Sequence, residues 1–132
     1  MTYDIIEKKA LANDITQLEI RAPEIACKAL AGQFVIIVTK ERSERIPLTI
    51  ADFDINQGTI TLIFQEIGFS TKELGALNPG ERILHILGPL GKPTHVEKFG
   101  TVICLAGGVG IGEMFPVAKA MQAAGNRVIG II

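Results

Sequence analysis

Thr101-Val102-Ile103-Cys104-Leu105-Ala106-Gly107-Gly108-Val109-Gly110-Ile111-Gly112 is the stretch that decides how this chain is organised. Its first half is a continuous apolar run without alternation, the mark of a strand covered on both faces, as in a parallel sheet. Glycines follow where the strand must turn. Met114, Val117, Ala118 and Met121 then recur at helical spacing, and Gly125 stops the helix. Pro116 fits the first turn of such a helix, where backbone donors lack partners in any case. Asn126 to Ile132 opens another buried strand. The order β, glycine turn, α, β is the opening of a nucleotide-binding α/β domain. Two parallel strands and one helix cannot cover their own apolar faces, so either the protein continues or another chain supplies the missing layers, and the pattern favours a fragment of a longer chain.

Upstream of Gly100 the pattern is different. Turn formers recur at intervals of about eight to twelve residues, and the stretches between them are rich in Ile, Val, Thr and Leu, the cadence of an all-β barrel or sandwich. Strands are predicted near Tyr3 to Leu11, Thr16 to Arg21, Gln33 to Thr39, Leu48 to Asp54, Thr59 to Gln65 and Arg82 to Leu87. Turns are predicted at Asn13-Asp14, Ala31-Gly32, Asn56-Gln57-Gly58 and Asn78-Pro79-Gly80, where Gly and Asn supply positive φ and Pro presets its own. One short helix interrupts the strands: Ser70-Thr71-Lys72-Glu73 fits a capping box, with Leu74 and Leu77 following at helical spacing. The boundary between the two patterns falls around Lys92 to Phe99, giving domains 1–98 and 99–132.

Composition narrows the function. Hydrophobic residues make up 48% against 20% charged, which excludes disorder. The mean hydropathy of +0.36 implies apolar surface meant to be covered. Thirteen basic and 14 acidic residues leave a net charge of −1, so neither a nucleic acid nor an anionic membrane face is an expected partner. A binder of single strands would also need aromatic platforms, and the chain has one Tyr, six Phe and no Trp. The longest apolar runs, such as Phe34 to Val38, are strand-length, and no leader of the secretory kind opens the sequence, so a cytoplasmic protein is expected. Cys27 and Cys104 have no partner at metal-ligand spacing and read as reduced core residues.

Two groups of residues point to a ligand. Glycines between a strand and a helix let backbone approach a phosphate, and the helix N-terminus offers N–H groups with partial positive charge. A tight turn with no ligand would use the same residues. The run also departs from the dinucleotide fingerprint, because Glu113 stands where a third glycine belongs, and its carboxylate would repel a pyrophosphate there. Nor is it a P-loop, since no Lys-Ser or Lys-Thr follows Gly112. The second group is Arg45-Ile46-Pro47-Leu48-Thr49-Ile50, followed by Ile67-Gly68-Phe69-Ser70-Thr71. A strand can offer backbone amides and the Thr49 hydroxyl to a heterocycle edge, while Gly68 and the hydroxyl-bearing turn can meet phosphates. The same residues suit an edge charge, an edge-strand proline and a helix cap. His85 in a strand and His95 in the linker read as structural or exposed.

The order of Arg45-x-Pro47-Leu48-Thr49, then Gly68-x-Ser70-Thr71, then Gly88-Pro89-Leu90-Gly91, then Gly107-Gly108-Val109-Gly110-Ile111 resembles the ferredoxin-reductase-like flavoproteins. Within them it is similar to the electron-transfer subunit of dihydroorotate dehydrogenase and to the small subunit of ferredoxin:NADP oxidoreductases and sulfide dehydrogenases. The resemblance implies a six-stranded antiparallel Greek-key barrel holding FAD, then the first β-α-β of a Rossmann-like domain binding NAD(P)H, and beyond it a segment carrying a [2Fe-2S] cluster. Pro47, Leu48 and Thr49, with Arg45, are then expected at the isoalloxazine, and Ile63, Phe64 and Gln65 beside the rest of the FAD. Gly68, Ser70 and Thr71 are expected at its diphosphate, and Gly88, Gly91, Gly107, Gly108, Val109 and Gly110 along the nicotinamide cleft. In the commoner pattern Arg directly precedes Pro; here Ile46 intervenes and shifts Arg45 by one strand position. The implied chemistry is hydride transfer between nicotinamide and flavin, with electrons passing to iron–sulfur centres in a larger iron–sulfur flavoprotein subunit, and no catalytic acid or base. The other reading is a cofactor-free assembly or regulatory module whose apolar faces bind a partner.

Overall fold

The computed structural model describes residues 2–132. Its strands are β1 (Tyr3–Ala12), β2 (Ile15–Arg21), β3 (Phe34–Val38), β4 (Arg45–Asp54), β5 (Thr59–Gln65), β6 (Arg82–Ile83), β7 (His85–Leu90), β8 (Thr101–Leu105) and β9 (Arg127–Ile131). The helices are α1 (Pro23–Ala26), α2 (Phe69–Gly75) and α3 (Gly110–Ala123). Alternation builds the first sheet: along β2, Thr16, Leu18 and Ile20 are buried while Arg21 is exposed. The inward side chains, among them Val35, Ile37, Ile50, Ile60, Leu62 and Ile83, meet in one core. Each fully buried Ile or Leu contributes about 1.5 to 3 kcal/mol.

The strand order is β6-β1-β2-β5-β4-β3-β7, with antiparallel neighbours throughout. Its two outer members are one segment of chain. β6 pairs with β1, β7 pairs with β3, and Leu84 alone separates them, its N–H donating to the Thr39 carbonyl. The sixth strand expected from sequence is therefore found as two, because a single segment changes partners and closes the sheet on itself, satisfying both edges.

Two local expectations need correction. α1 carried no signal strong enough to show in the sequence; it is a single turn opened by Pro23 that adds Ile25 and Ala26 to the core. The cap of α2 is Gly68, not Ser70: the Thr71 hydroxyl oxygen accepts from the Gly68 N–H at 3.1 Å and from the Ile67 N–H at 3.1 Å. Ser70 and Glu73 turn instead to the 43–44 loop, where Ser70 donates to the Glu44 carboxylate and Ser43 donates to that of Glu73.

After Leu90 the chain crosses residues 91–100 without regular structure and enters the parallel pair β8-β9, in register from Thr101 opposite Arg127. α3 begins at Gly110, earlier than the sequence spacing indicated, so Pro116 lies inside the helix and not in its first turn. No amide is available there to bond the Gly112 carbonyl. Two observations tie the crossing segment down. Thr94 donates its N–H to the Ala31 carbonyl at 2.9 Å and fills the space a side chain at Gly32 (φ 92°) would need. Asn126, buried at the start of β9, accepts from the amides of Phe99 and Gly100 and donates to the carbonyls of Glu97 and Met121. Among the described residues no helix is long and apolar enough to cross a membrane.

Replacing Asn126 with Ala strands several of those polar groups at once, so Asn126→Ala is expected to cost about 2 to 4 kcal/mol in urea unfolding. A loss below about 0.5 kcal/mol would show that this side chain does not hold the crossing segment.

Candidate functional site

α3 lies against the outside of the barrel and has two apolar faces. Pro116, Ala120 and Ala123 face Leu30, Ala31 and Phe53, while Ile111, Met114, Phe115 and Ala118 face Cys104, Ala106 and Gly130 of the parallel sheet. The helix approaches the barrel closely at Gly112, where an added Cβ would stand 3.0 Å from the Ile63 Cβ. Farther along, Lys119 reaches the Asp52 carboxylate of β4 at 2.9 Å. Both ends of that pair are more than a third exposed, so it aligns the helix and adds little to stability.

Seating α3 this way leaves a cavity of about 260 Å³ between its first turn and the barrel. Pro47, Leu48 and Thr49 of β4 and Ile63, Phe64 and Gln65 of β5 form one wall. Ile67 and Thr71 close an end, and Val109, Gly112 and Glu113 form the opposite wall. A second cavity, about 370 Å³, adjoins it, lined by Gly32, Thr94, Leu105, Ala106, Gly107, Gly110, Met114 and Val117. Thr49 and Glu113 line both cavities. Each lining is mostly uncharged, with Glu113 its only ionisable side chain.

The residues predicted from sequence divide accordingly. Pro47, Leu48, Thr49, Ile63, Phe64, Gln65, Thr71 and Val109 are brought together in the first cavity, and Gly107 and Gly110 stand in the second beside Thr49. Arg45 is elsewhere. It shares the outer face of β4 with Pro47 but lines a separate hollow with Ile36, Val38, His85 and Leu87, because its cross-strand neighbour is Val38, which in turn faces His85. Gly68, Ser70 and Gly108 lie outside both linings, and the Ser70 hydroxyl is committed to Glu44. Gly88 and Gly91 pack against β3: a side chain at Gly88 would meet Val35 at 2.7 Å, and one at Gly91 would meet the Phe34 ring at 2.9 Å.

The glycine turn has a feature that spacing did not show. The amides of Gly110 and Gly112 donate to the carbonyls of Gly107 and Val109 at 3.0 and 3.1 Å, and that of Ile111 to Gly108 at 3.4 Å. Donors that a phosphate would use are thus engaged within a tight first turn. Gly32 and Thr94 are marked by no motif, Ile67 and Gly112 lie within the two quoted stretches without a role of their own there, and Glu113 reads only as a departure from a fingerprint. Outside both linings, burial, reinforced by the negative charge of Glu24, raises the Tyr3 phenol above its ordinary value.

A closed antiparallel barrel with a strand–glycine turn–helix unit docked on its outer face is the ferredoxin-reductase-like fold, and the chain belongs to that class. No protein-family model matches it. The chain is 38% identical over 129 residues to a Thermotoga maritima homolog of the dihydroorotate dehydrogenase B (NAD(+)) electron transfer subunit, covering 98% of this chain and 46% of that protein. It is also similar to the solved structure of an NADH-dependent reduced ferredoxin-NADP oxidoreductase, at TM-score 0.96 and 38% identity, across 98% of this chain and 47% of that one. An Amycolatopsis cytochrome P450 reductase shares the fold at TM-score 0.81 and 20% identity, over 98% of this chain and 41% of its own. The chain spans about half the length of the curated relatives it matches.

The first cavity has Ile63 on one wall and Gly112 on the other. Gly112→Leu is expected to destabilise the protein by about 1 to 3 kcal/mol through overpacking, and to raise hydrogen exchange across the first turn of α3 while β2 stays protected. Unchanged exchange at residues 109–114 would show that the helix is not seated by this contact.

Proposed function

We propose that the chain is the FAD-binding part of an electron-transfer flavoprotein subunit, passing electrons between NAD(P)H, the flavin and the iron–sulfur centres of a larger partner subunit in the cytoplasm. On this reading residues 1–98 form the FAD-binding barrel and residues 99–132 the first part of the NAD(P)-binding domain. The observation that carries it is the pair of adjoining cavities with Thr49 in the wall between them. Hydride transfer needs two rings held within contact distance, and neighbouring cavities with a common wall supply that arrangement. The named relatives and the homologous solved structure point the same way.

The residues present fit a flat heterocycle. Pro47, Leu48 and Ile63 give apolar surface, while Thr49 and Gln65 place a hydroxyl and an amide at its edges; the Thr71 hydroxyl is engaged with the Ile67 and Gly68 backbone and closes the end of the cavity. A bound flavin supplies the two-electron and one-electron chemistry. The protein's own work is placement: β4 and β5 hold one side of the ring, and Val109 and Gly112 bound the other. Gly107, Gly110 and Thr94 shape the neighbouring space for a nicotinamide. No side chain in either lining has to act as an acid or base for hydride transfer.

Exposed Ile103, Leu105, Ile129 and Ile131 on the parallel sheet favour a second reading, a cofactor-free module that binds a partner through that face. A FAD titration followed by visible absorption and fluorescence separates the two. Saturable binding at one site per chain is expected, and a folded protein that binds no FAD would remove the flavoprotein reading. Thr49→Val, which keeps the shape and removes the hydroxyl, is expected to weaken FAD binding about three- to ten-fold, the worth of one hydrogen bond. An unchanged affinity would place the ring away from Thr49.

A further inference from the structure

We propose that Glu113 lowers the reduction potential of the flavin held between β4 and α3, an inference that rests on the flavoprotein reading above. Glu113 is the only ionisable residue lining either cavity, and it lines both. No described residue forms an ion pair or side-chain hydrogen bond with it. The nearest cation along the helix, Lys119, is engaged with Asp52 at 2.9 Å. The amides of Gly110 and Gly112 already donate to the carbonyls of Gly107 and Val109, so they leave the carboxylate uncompensated.

The consequence is electrostatic. A hydride brings the flavin two electrons and one proton, so a ring that takes up no second proton gains one negative charge. An unpaired carboxylate lining the same cavity would oppose that charge and leave the neutral oxidised ring almost untouched. The same carboxylate favours the cationic oxidised nicotinamide over its neutral reduced form, so it holds both rings toward the oxidised state. Glu113 is exposed, so solvent screens it, and the expected effect is about three- to ten-fold in the reduction equilibrium. For a two-electron couple this is about 15 to 30 mV.

The test is a redox titration of the FAD-loaded protein, followed by flavin absorbance against a reference dye. Glu113→Gln is expected to raise the midpoint potential by that amount, with the difference shrinking as salt is added. Glu113→Asp keeps the charge and is expected to stay near wild type. Glu7→Gln, a change of equal charge on exposed β1 that lines neither cavity, is expected to move nothing. A Glu113→Gln potential equal to wild type, or matched by Glu7→Gln, overturns the proposal while the bound flavin still supports the function. Wild-type protein that binds no FAD overturns the function itself, and this inference with it.

Discussion

The close approach of α3 to the barrel at Gly112 and Ile63 is the constraint on which the site depends. A Cβ at 112 would stand 3.0 Å from the Ile63 Cβ, so a larger side chain there presses on β5 across the first cavity. Glycine there creates a cleft by letting two layers nearly touch at one point and diverge around it. The residues that diverge are those of the two linings, with Thr49 on the barrel side and Glu113 on the helix side. Helix placement and cavity shape are therefore one property of the chain.

Closure of the barrel gives that contact a firm base. Arg82 to Leu90 gives β1 and β3 their second partners, and β4 and β5, interior to the sheet, are paired on both sides. The parallel unit is held more lightly. Its ties to the barrel are the α3 contacts, the solvated Lys119–Asp52 pair and the strap over Gly32, while Asn126 binds the crossing segment to β9. The cleft therefore has a floor built into the closed barrel and a wall held by fewer ties.

Much of this architecture is legible from residue order. Alternation in β2 and β5, turn residues at Asn13-Asp14 and Asn78-Pro79-Gly80, and the unbroken apolar run at Val102 to Ala106 each reflect local physics, and each element appears in place, although β8 and β9 are covered on one face only and expose Ile103, Leu105, Ile129 and Ile131 on the other. The partner switch at Leu84 was not legible, because a strand that changes neighbours has the same sequence pattern as one that does not. The start of α3 at Gly110 was hidden by glycines with little helical preference, which tertiary contact overrides. In the site, Pro47 to Thr49 and Ile63 to Gln65 could be foreseen because they are consecutive on strands. Gly32, Thr94 and Gly112 reach the cleft only through the folding of distant segments onto one another, and Arg45 leaves it because the pairing of β3 with β7 builds a second hollow beneath it.

The most direct examination of the central claim, that one ligand is held between barrel and helix, is amide hydrogen exchange with and without FAD. Slowed exchange is expected together at residues 48–50, 63–71 and 107–113, with the outer face of β1 unchanged. Protection confined to one of those three segments while FAD is bound, or centred on β1 and β2, would contradict a ligand gripped from both sides.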